Sequence, residues 1–314
     1  MSSVDRARAV IDDAVRSACG APITRLMPLT GGGLNEAYLA RLRGGDEVVV
    51  RVARRPVPWF TDEASAMALA RSVGVPTPEV LGVAHVTHED ELSSVSILSV
   101  VPGRPLDEVA HALPTLELDG ILEEAGELLA ALHGVTTELG IRHGLEVPRE
   151  DALARAVRAA RDVGGEVAAR AVARAAEWLV EWRVEWRVEW RVEKTAQAAP
   201  PARAFAHGDW LPKHLMIHEG RIAGVIDWEF AGSAHPARAL ARWEVSARAG
   251  LHARVDALRR GYARRGRLDE AWVSAFAVAW ALEVLGWQNP ADPGKQARCV
   301  EVASRAVSAP LQGK

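Results

Sequence analysis

Cysteine is almost absent from this 314-residue chain: Cys19 and Cys299 stand far apart, with no C-x-x-C and no Cys/His ligand spacing around them. That argues against a disulfide framework and a zinc site, and a reducing, cytoplasmic setting is expected. Long apolar runs are missing too: with no uninterrupted stretch of about eighteen apolar residues, a membrane-spanning helix is not expected. Nor is there an excess of positive charge, and the formal net charge of -3 offers no basic face for nucleic acid. The opening MSSVDRARAVIDDAVRSAC lacks the apolar core of a signal peptide. Its apolar residues, at helical spacing broken by Asp and Arg, read as a surface helix. Two missing motifs narrow the chemistry. Without a GxSxG elbow a serine hydrolase is disfavoured, and without GxxxxGK[ST] the chain is not a P-loop nucleotide hydrolase.

What is present is 49% hydrophobic, enough for a sizeable core, and changes character along its length. From Ile23 to Val101 the pattern is strand-like. ITRLMPLT, NEAYLARL and EVVVRVA predict a three-stranded meander with an RGGD turn, followed by a helix over Thr61–Ser72. Two more strands follow, PEVLGVAHV and SVSILSVV, separated by THED. Pro102-Gly103 marks a boundary. Beyond it LDGILEEAGELLAALHGV and alanine-rich segments carry helical spacing, interrupted by one hairpin, HLMIHEGRIAGVID, turned at Glu219-Gly220. The expected organisation is a β-rich lobe, 1–101, before a larger helical lobe, 102–314, an α+β fold.

EWLVEWRVEWRVEWRVEK, Glu177 to Lys194, repeats a four-residue unit. It fits a strand with tryptophans on one face, but alanine-rich VAARAVARAAEW leads into it without a turn residue, so a helix is expected. A tandem duplication that lengthens a helix explains it. The alternative is an aromatic, Glu-lined wall for a bulky ligand or a partner.

The chemistry concentrates in HGDWLPKHLMI, His207 to Ile217, where Asp209 lies two residues after one histidine and five before another, His214. The hairpin then ends in Ile226-Asp227-Trp228, placing a second acid eighteen residues after Asp209. Two carboxylates at the two ends of a hairpin can converge. That suits phosphoryl transfer, in which one Asp orients and deprotonates an acceptor hydroxyl and another holds Mg²⁺ on nucleotide phosphates. It also suits a metal-dependent hydrolase.

At these residues the chain resembles the aminoglycoside phosphotransferase family of small-molecule kinases, which share the protein-kinase fold, and the resemblance covers nearly the whole chain. It implies a two-lobed kinase-like architecture, a nucleotide-binding N-terminal lobe and a C-terminal lobe with the catalytic loop and acceptor pocket. Asp209 would be the catalytic base, Asp227 the main Mg²⁺ ligand and His207 a structural support of the loop. His214 stands where most of the family has a metal-binding asparagine, and a histidine there resembles the macrolide branch; a metal bound there is expected to be pH-sensitive or shifted toward Mn²⁺. The glycines Gly31, Gly32 and Gly33 of TGGGLNE fall where the family's phosphate loop lies. Arg51 occupies the position of the kinase lysine, with Glu63 as its ion-pair partner, and arginine is not equivalent to lysine there. SILSVVPG resembles the hinge, with Leu98 beside the nucleotide base and the backbone of Ser99 and Val101 touching it. ATP is the expected donor, GTP remaining open. HPARALA carries Ala239 where the family has an Asp, so the catalytic loop is expected to be braced by Glu229 or Arg238 instead. His133, His85, His88 and His111 read as structural or surface residues.

The acceptor's charge is not settled by composition. Arg104 to Lys194 holds eighteen acidic against twelve basic residues, whereas Pro236 to Lys314 holds seven against thirteen. The resemblance allows aminoglycosides, macrolides and basic cyclic peptides of the capreomycin and viomycin type. The last are the first expectation, with Glu146, Glu150, Asp151, Glu244 and Glu283 as candidates to meet their amines. A metabolic small-molecule kinase and a non-catalytic nucleotide-binding module are the other readings. No nucleic acid, membrane or obligate protein partner is implied.

Overall fold

The computed structural model describes residues 3–29, 35–53, 59–88, 91–135, 141–143, 148–193, 204–248, 250–287 and 292–308. Packing divides the chain into Met1–Arg104 with Leu215–Ala231, and Pro105–His214 with Gly232–Lys314. The expected lobes follow chain order; the hairpin, by contrast, packs with the first unit. Gly103, at φ 100°, lets it do so, because a Cβ there would fall 2.1 Å from the Ile217 carbonyl oxygen. The amide of Val225 donates to the Pro76 carbonyl at 2.8 Å.

In the first unit, α1 (Ser3–Cys19) precedes β1 (Ile23–Pro28), β2 (Glu36–Leu42), β3 (Glu47–Ala53), α2 (Trp59–Ser72), β4 (Val80–His88) and β5 (Glu91–Ser99). The five strands form an antiparallel sheet in the order β1-β2-β3-β5-β4. The meander is as the alternation predicts. Successive side chains of a strand point to opposite faces. Val48, Val50 and Val52 therefore join Ile11, Ala14 and Val15 of α1 in one apolar core, while Arg51 belongs to the other face. α1 is thus a packed helix with one covered side. It lies so close to β4 that a Cβ on Gly82 would come within 2.8 Å of Ala18 Cβ. The later hairpin, Leu215–His218 and Arg221–Val225, reverses through Glu219 and Gly220, both at positive φ (50° and 72°), as a two-residue primed turn requires.

The second unit is built from helices Thr115–His133, Ala237–Ser246, Val255–Ala263, Glu270–Leu285 and Pro293–Ser308 and the long helical stretch Glu150–Glu193. The first and third of these helices touch backbone to backbone. A Cβ on Gly126 would sit 2.0 Å from the Leu258 carbonyl oxygen, and one on Gly261 would sit 1.9 Å from that of Glu123. The stretch Glu150–Glu193 is two helices joined where Gly164 and Gly165 leave helical geometry. Its second helix contains the start of the EWRV repeat, so the helical reading is the observed one. Trp182 meets Trp272 edge to face at 4.7 Å between centroids, and Trp272 stacks on His235 at 4.4 Å. These tryptophans serve packing.

Besides the hairpin, three-residue strands occur at Ile141–His143, Ala204–Ala206 and Gly232–Ala234, forming one small sheet with the last in the middle. They are too short to show a period, and the sequence reading had one β interruption here. Among the described residues no helix is long and apolar enough to cross a membrane.

Candidate active site

Two clusters of charged side chains contain the acids singled out from sequence, one in each unit. In the first, β3 presents Arg51 on the face away from α1, and the first turns of α2 bring Glu63 against it. The two form a buried ion pair, Arg51 Nη1 to Glu63 Oε1. Arg51 Nη2 also lies 3.1 Å from Asp227 Oδ1 and 3.1 Å from Glu229 Oε2. One guanidinium therefore serves three carboxylates, which its planar fork of donors can do and a lysine ammonium cannot do in the same geometry.

Glu63 does more than pair. Its Oε1 accepts the Trp228 amide at 3.1 Å, which ties α2 to the residue after Asp227. Asp227 itself has φ 68°, a left-handed conformation uncommon for a non-glycine residue. Asn35 donates to Glu229 Oε2 at 2.7 Å, linking the end of the glycine-rich segment to the same acids. Burial, with Asp227 adding, pushes the Glu229 carboxyl up to about 7 against the pull of Arg51. Burial likewise raises Glu63, opposed by Arg51. Burial would lower Arg51, but the three acids outweigh it and the guanidinium stays charged.

The second cluster forms at the end of strand Ala204–Ala206. Gly208, at φ 85°, turns the chain there, and the His207 ring nitrogen Nδ1 accepts the Asp209 amide at 3.2 Å. His207 is fully buried, edge-on to both Trp210 and His214 at 5.8 Å. It shapes the loop, as the resemblance implied. The Asp209 carboxylate is buried between two cations and an imidazole: Oδ1 lies 2.6 Å from Arg242 Nη2, and Oδ2 lies 3.3 Å from Lys213 Nζ and 3.6 Å from His214 Nε2. Burial alone would raise its pKa, but Arg242, then Lys213 and the two histidines, hold it below the usual carboxylate range. His214 is held neutral, well below the ordinary histidine value, by burial and by His207.

The brace expected from Arg238 is present: its Nη1 donates to the Gly208 carbonyl at 3.1 Å, and Arg242 Nη1, one helical turn on, donates to the same oxygen at 3.0 Å. Glu229 is engaged with Arg51 and Asn35 in the first unit and does not brace this loop. Arg242, Lys213 and Asn35 were not singled out from sequence. The i, i+4 spacing of Arg238 and Arg242 put both on one helix face and was the available signal.

Other predicted residues are spread out. Leu98 is buried at the end of β5, and the Ser99 amide donates to the Glu79 carbonyl at 2.9 Å. Val101 is half-buried, its side chain filling the space that a Cβ on Gly224 would need. Gly31, Gly32, Gly33 and Glu146 lie outside the described residues. Glu150 and Glu283 are exposed. Asp151 pairs with Arg155 at 3.0 Å, and Glu244 is engaged by Arg259. His133 is half-buried and bonded to the Tyr262 hydroxyl at 3.0 Å.

A model of the phosphotransferase enzyme family (APH) matches residues 25–283. No curated protein sequence matches the chain significantly. Solved structures share its fold at low identity. Aminoglycoside phosphotransferase APH(4)-Ia gives a TM-score of 0.60 at 20% identity over 95% of this chain and 97% of that one. A thermostable mutant of APH(4)-Ia in ternary complex with ADP and hygromycin B gives 0.59 at 19%, over 97% and 99%. Macrolide 2′-phosphotransferase MphH from Brachybacterium faecium gives 0.53 at 22%, over 96% and 99%. At such identities the structures speak for the α+β fold, whereas the family model spans most of the sequence and both acid-bearing segments. The chain belongs to the phosphotransferase enzyme family and is a small-molecule phosphotransferase.

Proposed function

We propose that the protein transfers the γ-phosphoryl group of ATP to a hydroxyl of an antibiotic, first of all a basic cyclic peptide of the capreomycin and viomycin type, and thereby inactivates it. The observation that carries the reading is the buried Arg51–Glu63 ion pair with Asp227 beside it, the arrangement that nucleotide phosphates and their cation require in kinases. Family membership supports it. So do two similar folds, one bound to ADP and hygromycin B and one that is a macrolide phosphotransferase.

Arg51 would contact the nucleotide phosphates, Glu63 would hold Arg51 in place, and the Gly31–Gly33 segment would lie over the phosphates. Leu98, Ser99 and Val101 would border the base. For Mg²⁺ the donor chemistry fits in part. Asp227 offers a hard oxygen on a side chain one-third exposed. Among the described residues no group of three or more His, Cys, Asp or Glu side chains is placed to hold a metal, which suits a cation that arrives on the nucleotide and takes one or two protein ligands. His214, neutral and thus able to offer a lone pair, is the second candidate, and its nitrogen favours Mn²⁺ more than an asparagine oxygen would. Bound there, the cation would neutralise charge on the phosphates.

Asp209 would orient the acceptor hydroxyl and receive its proton as the oxygen bonds to the γ-phosphorus and the bond to ADP breaks. Asp151 and Glu244 already face arginines, and Glu283 acts on Arg242, so the exposed Glu150 is the better placed of these acids to meet an acceptor's amines.

The test is ATP-dependent product formation, read by mass spectrometry as one added phosphoryl group, across capreomycin, viomycin, several aminoglycosides and a macrolide, with Asp209→Ala as control. A gain on one class, absent from the control, supports the reading and names the acceptor. ATP binding with no gain on any member would turn attention to a metabolic hydroxyl compound or to a non-catalytic role.

A further inference from the structure

Arg242 makes more contacts around Asp209 than a brace for a loop needs. Its Nη1 donates to the Gly208 carbonyl, its Nη2 lies 2.6 Å from Asp209 Oδ1, and its guanidinium carbon sits 4.2 Å from the centre of the Trp280 ring. Trp280 is in turn fixed by its indole N–H, which donates to Ser246 Oγ at 2.7 Å. The arginine is clamped between a tryptophan face and a carboxylate, with a side chain only 14% exposed. Among the described residues its Nε, also buried, has no hydrogen-bond partner. A buried donor without a partner costs stability, so folding alone is a poor reason for an arginine here.

The two oxygens of Asp209 meet different partners. Oδ1 forms an ion pair with the buried Arg242 at 2.6 Å without hydrogen-bond alignment, whereas Oδ2 lies 3.3 Å from Lys213 Nζ, on a side chain 52% exposed, and 3.6 Å from the buried His214 Nε2. Arg238 also bonds the Gly208 carbonyl, so the loop keeps one brace if Arg242 is changed.

We propose that Arg242 is a positioning residue that fixes the Asp209 carboxylate through Oδ1, and that Oδ2, on the side of the half-exposed Lys213, is the oxygen presented to the acceptor hydroxyl. This rests on Asp209 being the catalytic base. In a transfer whose rate depends on alignment, an anchored carboxylate matters more than a strongly basic one, and misplacement by about 1 Å can cost roughly 10²-fold.

The variants that test it are Arg242→Met, Arg242→Lys, Arg242→Ala and Arg238→Met, with Arg242→Met also placed on an Asp209→Asn background. Turnover is followed with the acceptor identified in the panel, and also as slow ATP hydrolysis to water, which needs no identified acceptor. Arg242→Met is expected to lower kcat by about 10²-fold while KM and nucleotide Kd change by less than about 3-fold. Arg242→Lys should recover part of that loss, and so should added methylguanidinium with Arg242→Ala. Arg238→Met should cost less than about 5-fold, because it removes one of two braces on the Gly208 carbonyl. On an Asp209→Asn background, Arg242→Met should cost nothing further. A full additional loss on that background would mean that Arg242 acts other than through Asp209 and overturns the proposal. So would an Arg242→Met enzyme with near-normal kcat. If Arg242→Met does not fold, Arg242→Lys decides: wild-type turnover from a folded Arg242→Lys with the fork lost overturns it. Activity in Asp209→Ala would refute the assignment of Asp209 itself, a different failure from a silent Arg242→Met beside an inactive Asp209→Ala.

Discussion

Glu63 is bound at a single oxygen, Oε1, by both the Arg51 guanidinium and the backbone amide of Trp228, so that one buried carboxylate joins β3, α2 and the segment carrying Asp227. Local charge balance in the first unit depends on it. Arg51 in turn pairs with three acids, Glu63, Asp227 and Glu229.

Arg51→Met should therefore leave buried carboxylates without their cation and lower stability by about 3 kcal/mol, read by urea denaturation at neutral pH. Arg51→Lys keeps the charge but loses the fork, so it should fold with a smaller penalty and bind nucleotide more weakly. Unchanged stability in Arg51→Met would mean that the acids protonate or rehydrate at little cost.

Gly126→Ala and Gly261→Ala should each cost about 3 kcal/mol or more, because the new methyl meets backbone atoms of the facing helix, which cannot rotate aside. Gly20→Ala meets no atom but sits at φ 70°, so a backbone penalty of about 1 kcal/mol is expected there. Thermal melts of the three variants compare a steric clash with backbone strain. Equal shifts would show that the helices slide apart easily.

Burial, with His235 adding, lowers the His133 pKa from the ordinary 6.5 to about 3. With the folded value depressed, the unfolded chain binds more protons between these two pH values. Stability is then fully present above about 6.5 and falls as the pH drops toward 3. His133→Gln should remove up to about 1.4 kcal/mol per pH unit from that acid slope. Identical slopes for the two proteins between pH 4 and 6, followed by chemical denaturation, would show that His133 ionises in place.

His214→Asn places an oxygen where a buried imidazole stands. If His214 ligates the cation, Mg²⁺-supported turnover should be retained or improved and the ratio of Mn²⁺ to Mg²⁺ activity should fall. A divalent-metal titration that finds the variant inactive with every ion would assign His214 to supporting the Asp209 loop instead.

The first sheet was legible because β2 and β3 alternate over seven residues and the Gly44-Gly45 turn between them adopts positive φ, which glycine takes at no steric cost. The strands at Ala204–Ala206 and Gly232–Ala234 were not, since three residues cannot display a period. Asp209 and Asp227 stood out by their place in HGD and IDW. Arg242 did not, because an alanine-rich helix dotted with arginines looks like a solvated surface until its neighbours are known. For the same reason Glu244 looked available for a cationic acceptor, and only its pairing with Arg259 shows where its charge is used.

By itself the sequence determined the longer strands and helices and their order, the family, and the two acid-bearing segments, because these depend on local periodicity and on short spacings along the chain. Tertiary structure decided which cation meets which acid: Arg51 with Glu63, Asp227 and Glu229, and Arg242 with Asp209. It also decided that the hairpin carrying Asp227 packs with the first unit and that Gly126 and Gly261 lie against facing backbones. Ion pairs and close approaches are set by distances through space between residues far apart in sequence, and no periodicity or motif encodes those distances.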